Sequence, residues 1–160
     1  MDARAWFLSV ALVASGCGGG SECTGAGGVA DPCEFDGEPT FSGNVVPLLN
    51  VTCAVSSACH TERVRRAGQS LGPSCDAATR LEVHDGIVGV PSETEPALDR
   101  IEAGDPDASF LIHKVEGDFA GLDCDETDDC GVQMPKADDP LSGECIAMLR
   151  AWITAGAPSD

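Results

Sequence analysis

The chain has 160 residues, enough for one domain of ordinary size together with a leader. Hydrophobic residues make up 42% of the sequence, whereas aromatic residues contribute only 4% and tyrosine is absent. The 27 acidic residues outnumber the 9 basic residues, which gives a formal charge of −18. Because this charge repels phosphate backbones and anionic lipids, it argues against nucleic acid as a partner and favours a basic protein or a cation.

The first 16 residues predict a bacterial lipoprotein signal peptide. Arg4 precedes an apolar run of roughly ten residues, which is too short to cross a bilayer as a helix. The small residues Ala14-Ser15-Gly16 then lead into Cys17, as in a lipobox whose cysteine is acylated after cleavage. We therefore expect export, a lipid anchor on Cys17, and a position facing the periplasm or the cell exterior. An ordinary secretory signal with a nearby cysteine is the alternative.

The cysteine count agrees with an exported protein. Acylation of Cys17 leaves eight further cysteines, and an even number suits disulfide formation in an oxidising compartment. The eight are Cys23, Cys33, Cys53, Cys59, Cys75, Cys124, Cys130 and Cys145. Parity alone does not decide which of them are paired.

Residues 17–40 are predicted to form a Gly-rich tether, and residues 41–160 a single domain. The tether has neither helical nor strand periodicity and is rich in Gly and Pro. Cys23 and Cys33 would close a short loop within it, so we expect a local disulfide there.

A helix is predicted at the start of the domain, leading into Cys53. Ser42 is its predicted N-cap, and Pro47 lies near the first turn, where it bends the helix more than it breaks it. Apolar residues at helical spacing define the buried side, namely Phe41, Val45, Leu48 and Leu49.

The middle of the chain is predicted to contain one extended segment and one helix. Residues 81–91 are apolar and β-branched, which favours an extended or loop conformation. Asp105 and Pro106 form a helix start, and Gly117 is the predicted end of that helix. A long loop over residues 118–139 follows.

The C-terminal helix has the strongest local signals. Ser142 is its predicted N-cap, and Gly156 followed by Pro158 ends it. A hydrophobic staple is predicted between Leu141 and Ile146. The buried stripe consists of Cys145, Leu149, Trp152 and Ile153.

Cys53, Cys59 and His60 are the main candidates for cofactor attachment. Two cysteines with a histidine directly after the second are typical of c-type haem attachment, for which the usual spacing is C-x-x-C-H. Here five residues separate the cysteines. On a helix the usual pair lies about 4.5 Å apart along the axis and this pair about 9 Å apart, so the loop must bulge for both thiols to reach one porphyrin. Four small residues permit the bulge: Ala54, Ser56, Ser57 and Ala58.

The order of these motifs resembles the small cytochrome c-like domain of bacterial exported lipoproteins. The matching segments are residues 45–49 before Cys53, Cys59-His60, residues 88–92, residues 104–111, Met134-Pro135 and residues 149–157. The resemblance implies an all-α fold, a small helical domain with long disulfide-stapled loops, around one covalent haem c. It implies that Cys53 and Cys59 attach the haem, with His60 and Met134 as the iron ligands.

These ligands imply electron transfer and not catalysis. An imidazole and a thioether saturate the iron and leave no position for a substrate, and a methionine ligand raises the reduction potential. The implied protein is a membrane-anchored electron carrier whose redox partner has a basic surface. The cluster Arg63, Arg65 and Arg66 either neutralises the acidic surface or reaches the haem propionates. His84 and His113 are further candidates for iron ligation, with an ordinary structural role as the alternative.

The disulfide prediction depends on the state of Cys53 and Cys59. With haem attached to both, three disulfides remain: Cys23–Cys33 and Cys124–Cys130, which close short loops, and by remainder Cys75–Cys145. The alternative is a haem-free relative of the same fold, in which Cys53 and Cys59 form a fourth disulfide and the protein is a binding or structural module. No catalytic Ser/His/Asp set, phosphate loop or zinc spacing is present in the sequence.

Overall fold

The computed structural model describes residues 31–56, 58–124, 129–136 and 138–160. The predicted signal peptide, Cys17 and Cys23 lie outside these residues. Within them the regular structure is helical, accompanied only by isolated β-bridges, so the all-α prediction is confirmed. The four α-helices are α1 (Val46–Thr52), α2 (Ala77–Asp85), α3 (Phe110–Glu116) and α4 (Gly143–Thr154). None of the described helices has the length and apolar character needed to cross a membrane.

A π-helical turn, Phe41–Val45, precedes α1 and continues directly into it. The turn is capped by Thr40, whose Oγ1 accepts a hydrogen bond from the Gly43 amide at 3.0 Å. The predicted cap at Ser42 is therefore wrong, and Ser42 instead donates its amide to the Asp160 carboxylate near the C-terminus. Pro47 lies in the first turn of α1, as predicted, and has no amide proton to bond back into the preceding π-helical turn.

Helix α2 begins at Ala77 and overlaps the start of residues 81–91, which the sequence predicts to be extended or a loop. The prediction is wrong for residues 81–85, which are helical. A reciprocal cap starts this helix: Asp76 Oδ1 accepts from the Thr79 amide at 3.0 Å, and Thr79 Oγ1 accepts from the Asp76 amide at 3.4 Å. Because Thr79 replaces the usual Glu or Gln of a capping box, the local signal is weak.

Helix α3 begins later than the sequence predicts. Asp105 does not cap α3. Its carboxylate accepts from the Asp107 and Ala108 amides at 3.1 and 3.2 Å, which forms a turn before the helix begins. Ser109 occupies the N-cap position. The predicted end at Gly117 is confirmed, since this residue has a φ of +72° that favours glycine.

Helix α4 forms the centre of the core and confirms its predicted limits and N-cap. Ser142 Oγ accepts from the Cys145 amide at 3.2 Å. Trp152 is fully buried and stacks on Phe41 with ring centroids 5.5 Å apart, which joins the two ends of the domain. The other fully or almost fully buried residues of α4 are Met148, Leu149 and Ile153.

The disulfides differ from two of the three predicted pairs. Cys33 is bonded to Cys145, so the predicted pairs Cys23–Cys33 and Cys75–Cys145 are wrong. Cys75 is also disulfide-bonded, but not to Cys145. The predicted Cys124–Cys130 disulfide is present. The error has a physical reason: loop length favours local pairs, whereas packing of the segment before residue 41 against α4 brings a distant cysteine closer.

Cys33, which lies in the segment predicted to be a tether, packs against the residues of the main core. Only 5% of its surface is exposed, and it belongs to the main hydrophobic core. Asn44 holds the same segment by donating to the Pro32 carbonyl at 3.0 Å. Asp31 lies beside the Cys33–Cys145 sulfurs, but bonded sulfurs carry no thiolate, so this group is not a metal site.

Candidate cofactor site

His60 and Met134 line the same cavity. It has a volume of about 470 Å³, within the range of roughly 300–1,000 Å³ typical of small-molecule and cofactor sites. Its apolar wall comes from three parts of the chain and includes Leu71, Phe110, Leu111 and Val132. The two residues that the resemblance implies as iron ligands are thus brought together from separate loops.

His60 is held by its backbone and by its ring. Its amide donates to the Cys53 carbonyl at 3.0 Å, and its carbonyl accepts from the Leu71 amide at 2.7 Å. Its Nδ1 lies 2.9 Å from the Arg66 carbonyl oxygen. A carbonyl oxygen can only accept, so the proton is on Nδ1 and the lone pair is on Nε2. A metal-binding histidine has this arrangement, in which the second nitrogen is fixed by a hydrogen bond.

The surroundings of His60 also favour its neutral form. Burial lowers the pKa of the imidazole, and the positive charges of Lys114 and Arg66 lower it further, whereas the hydrogen bond to the Arg66 carbonyl raises it. Only the neutral ring has a lone pair to give to a metal. The ring is therefore suited to ligation at neutral pH.

The loop between the two free cysteines folds back on itself. The His60 amide bonds to the Cys53 carbonyl, and the Cys59 amide bonds to the Ser56 carbonyl at 3.0 Å. Val55 protrudes with 56% of its surface exposed, while Ala54 is buried. Ser57 lies outside the described residues. The described part of the loop is thus closed by backbone hydrogen bonds, with the Val55 side chain exposed.

Cys53 and Cys59 are free thiols, whereas the other cysteines in the described ranges are all disulfide-bonded. Both are partly exposed and each lies 3.3 Å from a hydroxyl oxygen, Thr52 Oγ1 and Ser56 Oγ respectively. Burial raises the pKa of the Cys53 thiol, the Thr52 hydroxyl lowers it, and the nearby Cys59 raises it. The Cys53–Cys59 disulfide expected for a haem-free protein is not formed. Neither sulfur lines the cavity, although the adjacent His60 does.

The loop that carries Met134 is fastened to α3. The Met134 amide donates to the Lys114 carbonyl at 2.7 Å, and Gln133 Nε2 donates to the Val115 carbonyl at 2.8 Å. A Cβ on Gly117 would approach the Gln133 side chain to 2.9 Å, so a larger residue there would displace Gln133 in addition to straining the positive φ. The Cys124–Cys130 disulfide closes the earlier part of the loop. These contacts hold Met134 at the cavity wall.

The donor set fits a c-type haem in its chemistry. Imidazole and thioether are a known axial pair for haem iron, and the residues that supply them face one cavity. Two free thiols precede the imidazole in the chain, and thiols are the groups that bond to porphyrin vinyls. The apolar wall suits a macrocycle.

The two other histidines have structural roles. His84 Nε2 lies 2.8 Å from the Ala157 carbonyl oxygen, and the ring packs edge-on against Phe41 at 5.2 Å. The ring nitrogens of His113 lie 2.9 and 3.0 Å from the carbonyl oxygens of Asp118 and Asp107. Neither histidine lines the cavity.

Sequence reasoning missed the basic residues of the site. The side chains of Arg63, Arg65 and Arg66 do not line the cavity, and Arg66 contributes its carbonyl instead. The basic residues on the wall are Arg100, Lys114 and Lys136. They are scattered along the sequence without a motif, so only their arrangement in space identifies them.

Comparison with protein-family models, curated proteins and solved structures finds no match to this chain, so a functional proposal rests on the geometry of the site.

Proposed function

We propose that this protein is an exported, c-type cytochrome-like electron carrier with one covalent haem. The observation that carries the proposal is the cavity shared by His60 and Met134, with His60 Nδ1 committed to the Arg66 carbonyl and Nε2 left with its lone pair. The free state of Cys53 and Cys59 among otherwise disulfide-bonded cysteines supports it further. A wholly structural role would favour pairing of these two thiols as well.

Each residue of the site has a specific role in this proposal. Cys53 and Cys59 would bond to the porphyrin, and His60 Nε2 and the Met134 sulfur would bind its iron. When bound, haem supplies a one-electron Fe(III)/Fe(II) couple. The Arg66 carbonyl keeps the imidazole in one orientation, and the hydrogen bonds from the Met134 loop to α3 keep the thioether in place. With His60 and Met134 both bound to the iron, no position would be left for a substrate, so the role would be electron transfer and not substrate activation.

The remaining parts of the proposal concern location and partner. A lipid on Cys17 would anchor the protein to a bacterial membrane, facing the periplasm or the exterior. The charge of −18 would steer a redox partner with a basic surface toward the domain and would make the association rate depend on salt.

Covalent attachment is tested by expressing the full chain, leader included, in a host with an active c-type maturation system. The haem is expected to stay on the polypeptide after denaturation and acid–acetone extraction. The variant Cys53→Ser/Cys59→Ser should lose it. The same chain from a host without the maturation system is the matched control and should be folded but colourless.

A colourless product from the maturation-competent host, with peptide mapping that joins Cys53 to Cys59, would contradict the proposal. It would favour the haem-free binding or structural module instead. Haem that is present but removed by extraction would contradict covalent attachment alone.

A further inference from the structure

The cavity wall has a charge opposite to that of the whole chain. Three of the nine basic residues line it, namely Arg100, Lys114 and Lys136, and Asp129 is the single acidic residue among the lining residues that the structure describes. The chain as a whole has three acidic residues for every basic one. A local reversal of this kind creates a positive potential inside a cavity whose low-dielectric walls strengthen it. The cavity is therefore suited to an anionic group.

Lys114 is the central cation of this wall. Its Nζ donates to the Cys130 carbonyl at 2.7 Å and lies 4.8 Å from the centre of the Phe119 ring. Burial lowers the pKa of its ammonium, while the charge of Asp129 raises it. Among the described residues no carboxylate lies within ion-pair distance of Nζ. A partly desolvated ammonium without a counter-ion is costly, and an anion in the cavity would remove that cost.

The other two cations, Arg100 and Lys136, differ in the contacts that they form within the protein. The Arg100 guanidinium donates to the Gly86 carbonyl at 2.8 Å and the Ala67 carbonyl at 3.3 Å, so it serves mainly to hold the backbone. Lys136 is exposed and forms no hydrogen bond or ion pair within the described part of the chain. Arg100 also lies 3.9 Å from Glu93 Oε1, so Lys114 and Lys136 are the lining cations that form no ion pair among the described residues.

We propose that Lys114 and Lys136 bind the carboxylates of a ligand whose apolar body occupies the cavity. On the proposed function, from which this inference follows, the carboxylates are the two propionates of the haem. The apolar residues Leu71, Phe110 and Val132 would contact the macrocycle, and charge-assisted hydrogen bonds from the lysines would hold its polar edge. This pairing would also shield the propionates from a surface that otherwise repels anions.

The test measures non-covalent porphyrin binding to the haem-free full chain by fluorescence titration. The probes are zinc protoporphyrin and its dimethyl ester, in which both propionates are methylated and carry no charge. For zinc protoporphyrin, Lys114→Gln should weaken binding about tenfold and the exposed Lys136→Gln about threefold. Lys136→Gln should leave binding of the ester unchanged. Arg63→Gln removes an equal charge outside the cavity and should leave both probes unaffected.

Lys136→Gln is the decisive variant, because Lys114 also holds the Cys130 carbonyl and its loss can disturb the loop. Equal weakening of both probes by Lys136→Gln would overturn the inference, since the lysine would then act without the carboxylates. Equal weakening by Arg63→Gln would overturn it as well, since net charge would explain the effect. If neither lysine substitution changes the affinity for zinc protoporphyrin, this inference alone is overturned. If neither probe binds, the proposed function is overturned too.

Discussion

The Nδ1 atom of His60 lies 2.9 Å from the carbonyl oxygen of Arg66, and this contact determines which ring nitrogen keeps its lone pair. The carbonyl belongs to a short 3₁₀ turn, Arg66–Gly68, that follows the cysteine–histidine segment in the chain. The imidazole ring is consequently oriented by a residue close to it in the chain before any ligand binds. An oriented ligand loses less entropy on binding, which favours tight metal coordination.

The first prediction concerns the pH dependence of stability in the haem-free protein. Burial lowers the pKa of His60 below its ordinary value of 6.5. The unfolded chain therefore binds a proton more readily than the folded one just below that pH. The contribution of His60 to stability is present above pH 6.5 and is lost as the pH falls from 6.5 through the folded-state pKa. Urea unfolding above and below pH 6.5 should show that the free energy of unfolding falls at the lower pH. The variant His60→Gln should show a smaller fall.

His113→Gln is the control for that experiment, because it removes a histidine that lies outside the cavity. It should retain the pH dependence attributed to His60. An unchanged slope in His60→Gln would show that other groups cause the decrease.

The second prediction concerns the ligand role of Met134 in the haem-loaded protein. Met134→Leu preserves an apolar side chain of similar size but removes the sulfur, so the reduction potential should fall while the haem stays bound. The potential is measured by spectroscopic redox titration. Met148→Leu is the matched control, since Met148 is fully buried in the core away from the cavity. An equal fall in both variants would remove Met134 from the ligand set.

The third prediction compares the two disulfides that the structure defines. Cys33–Cys145 joins residues 112 positions apart, and Cys124–Cys130 joins residues 6 apart. In the loop-entropy model, Cys33→Ser/Cys145→Ser should lower the free energy of unfolding by about 5 kcal/mol, and Cys124→Ser/Cys130→Ser by about 2 kcal/mol. Urea unfolding gives both values. A larger loss from the short-loop pair would contradict the expected order.

The fourth prediction concerns the leader. Cleavage before Cys17 and acylation there should send the exported protein into the detergent phase. Cys17→Ser should abolish the lipid and shift the intact mass accordingly. If the mass of the variant differs only by the substitution itself, Cys17 is not the lipid attachment site.

Elements that depend on neighbouring residues were predictable from the sequence. Ser142 caps α4 and Gly117 ends α3 because caps act within one helical turn of the residue that supplies them. The Cys124–Cys130 pair follows in the same way, since short loops close easily. His60 and Met134 could be named as candidates from their sequence context.

The cavity that His60 and Met134 share, and its basic wall, were decided only by the tertiary structure. Lys114 comes from α3, and Lys136 follows Pro135 in a loop that is fastened to the same helix. No periodicity or spacing in the sequence connects these residues with His60. The same reason explains Cys33, which pairs across the domain with α4 against the preference for a short loop. Such contacts are set by the burial of apolar surface over the whole domain, which no local pattern encodes.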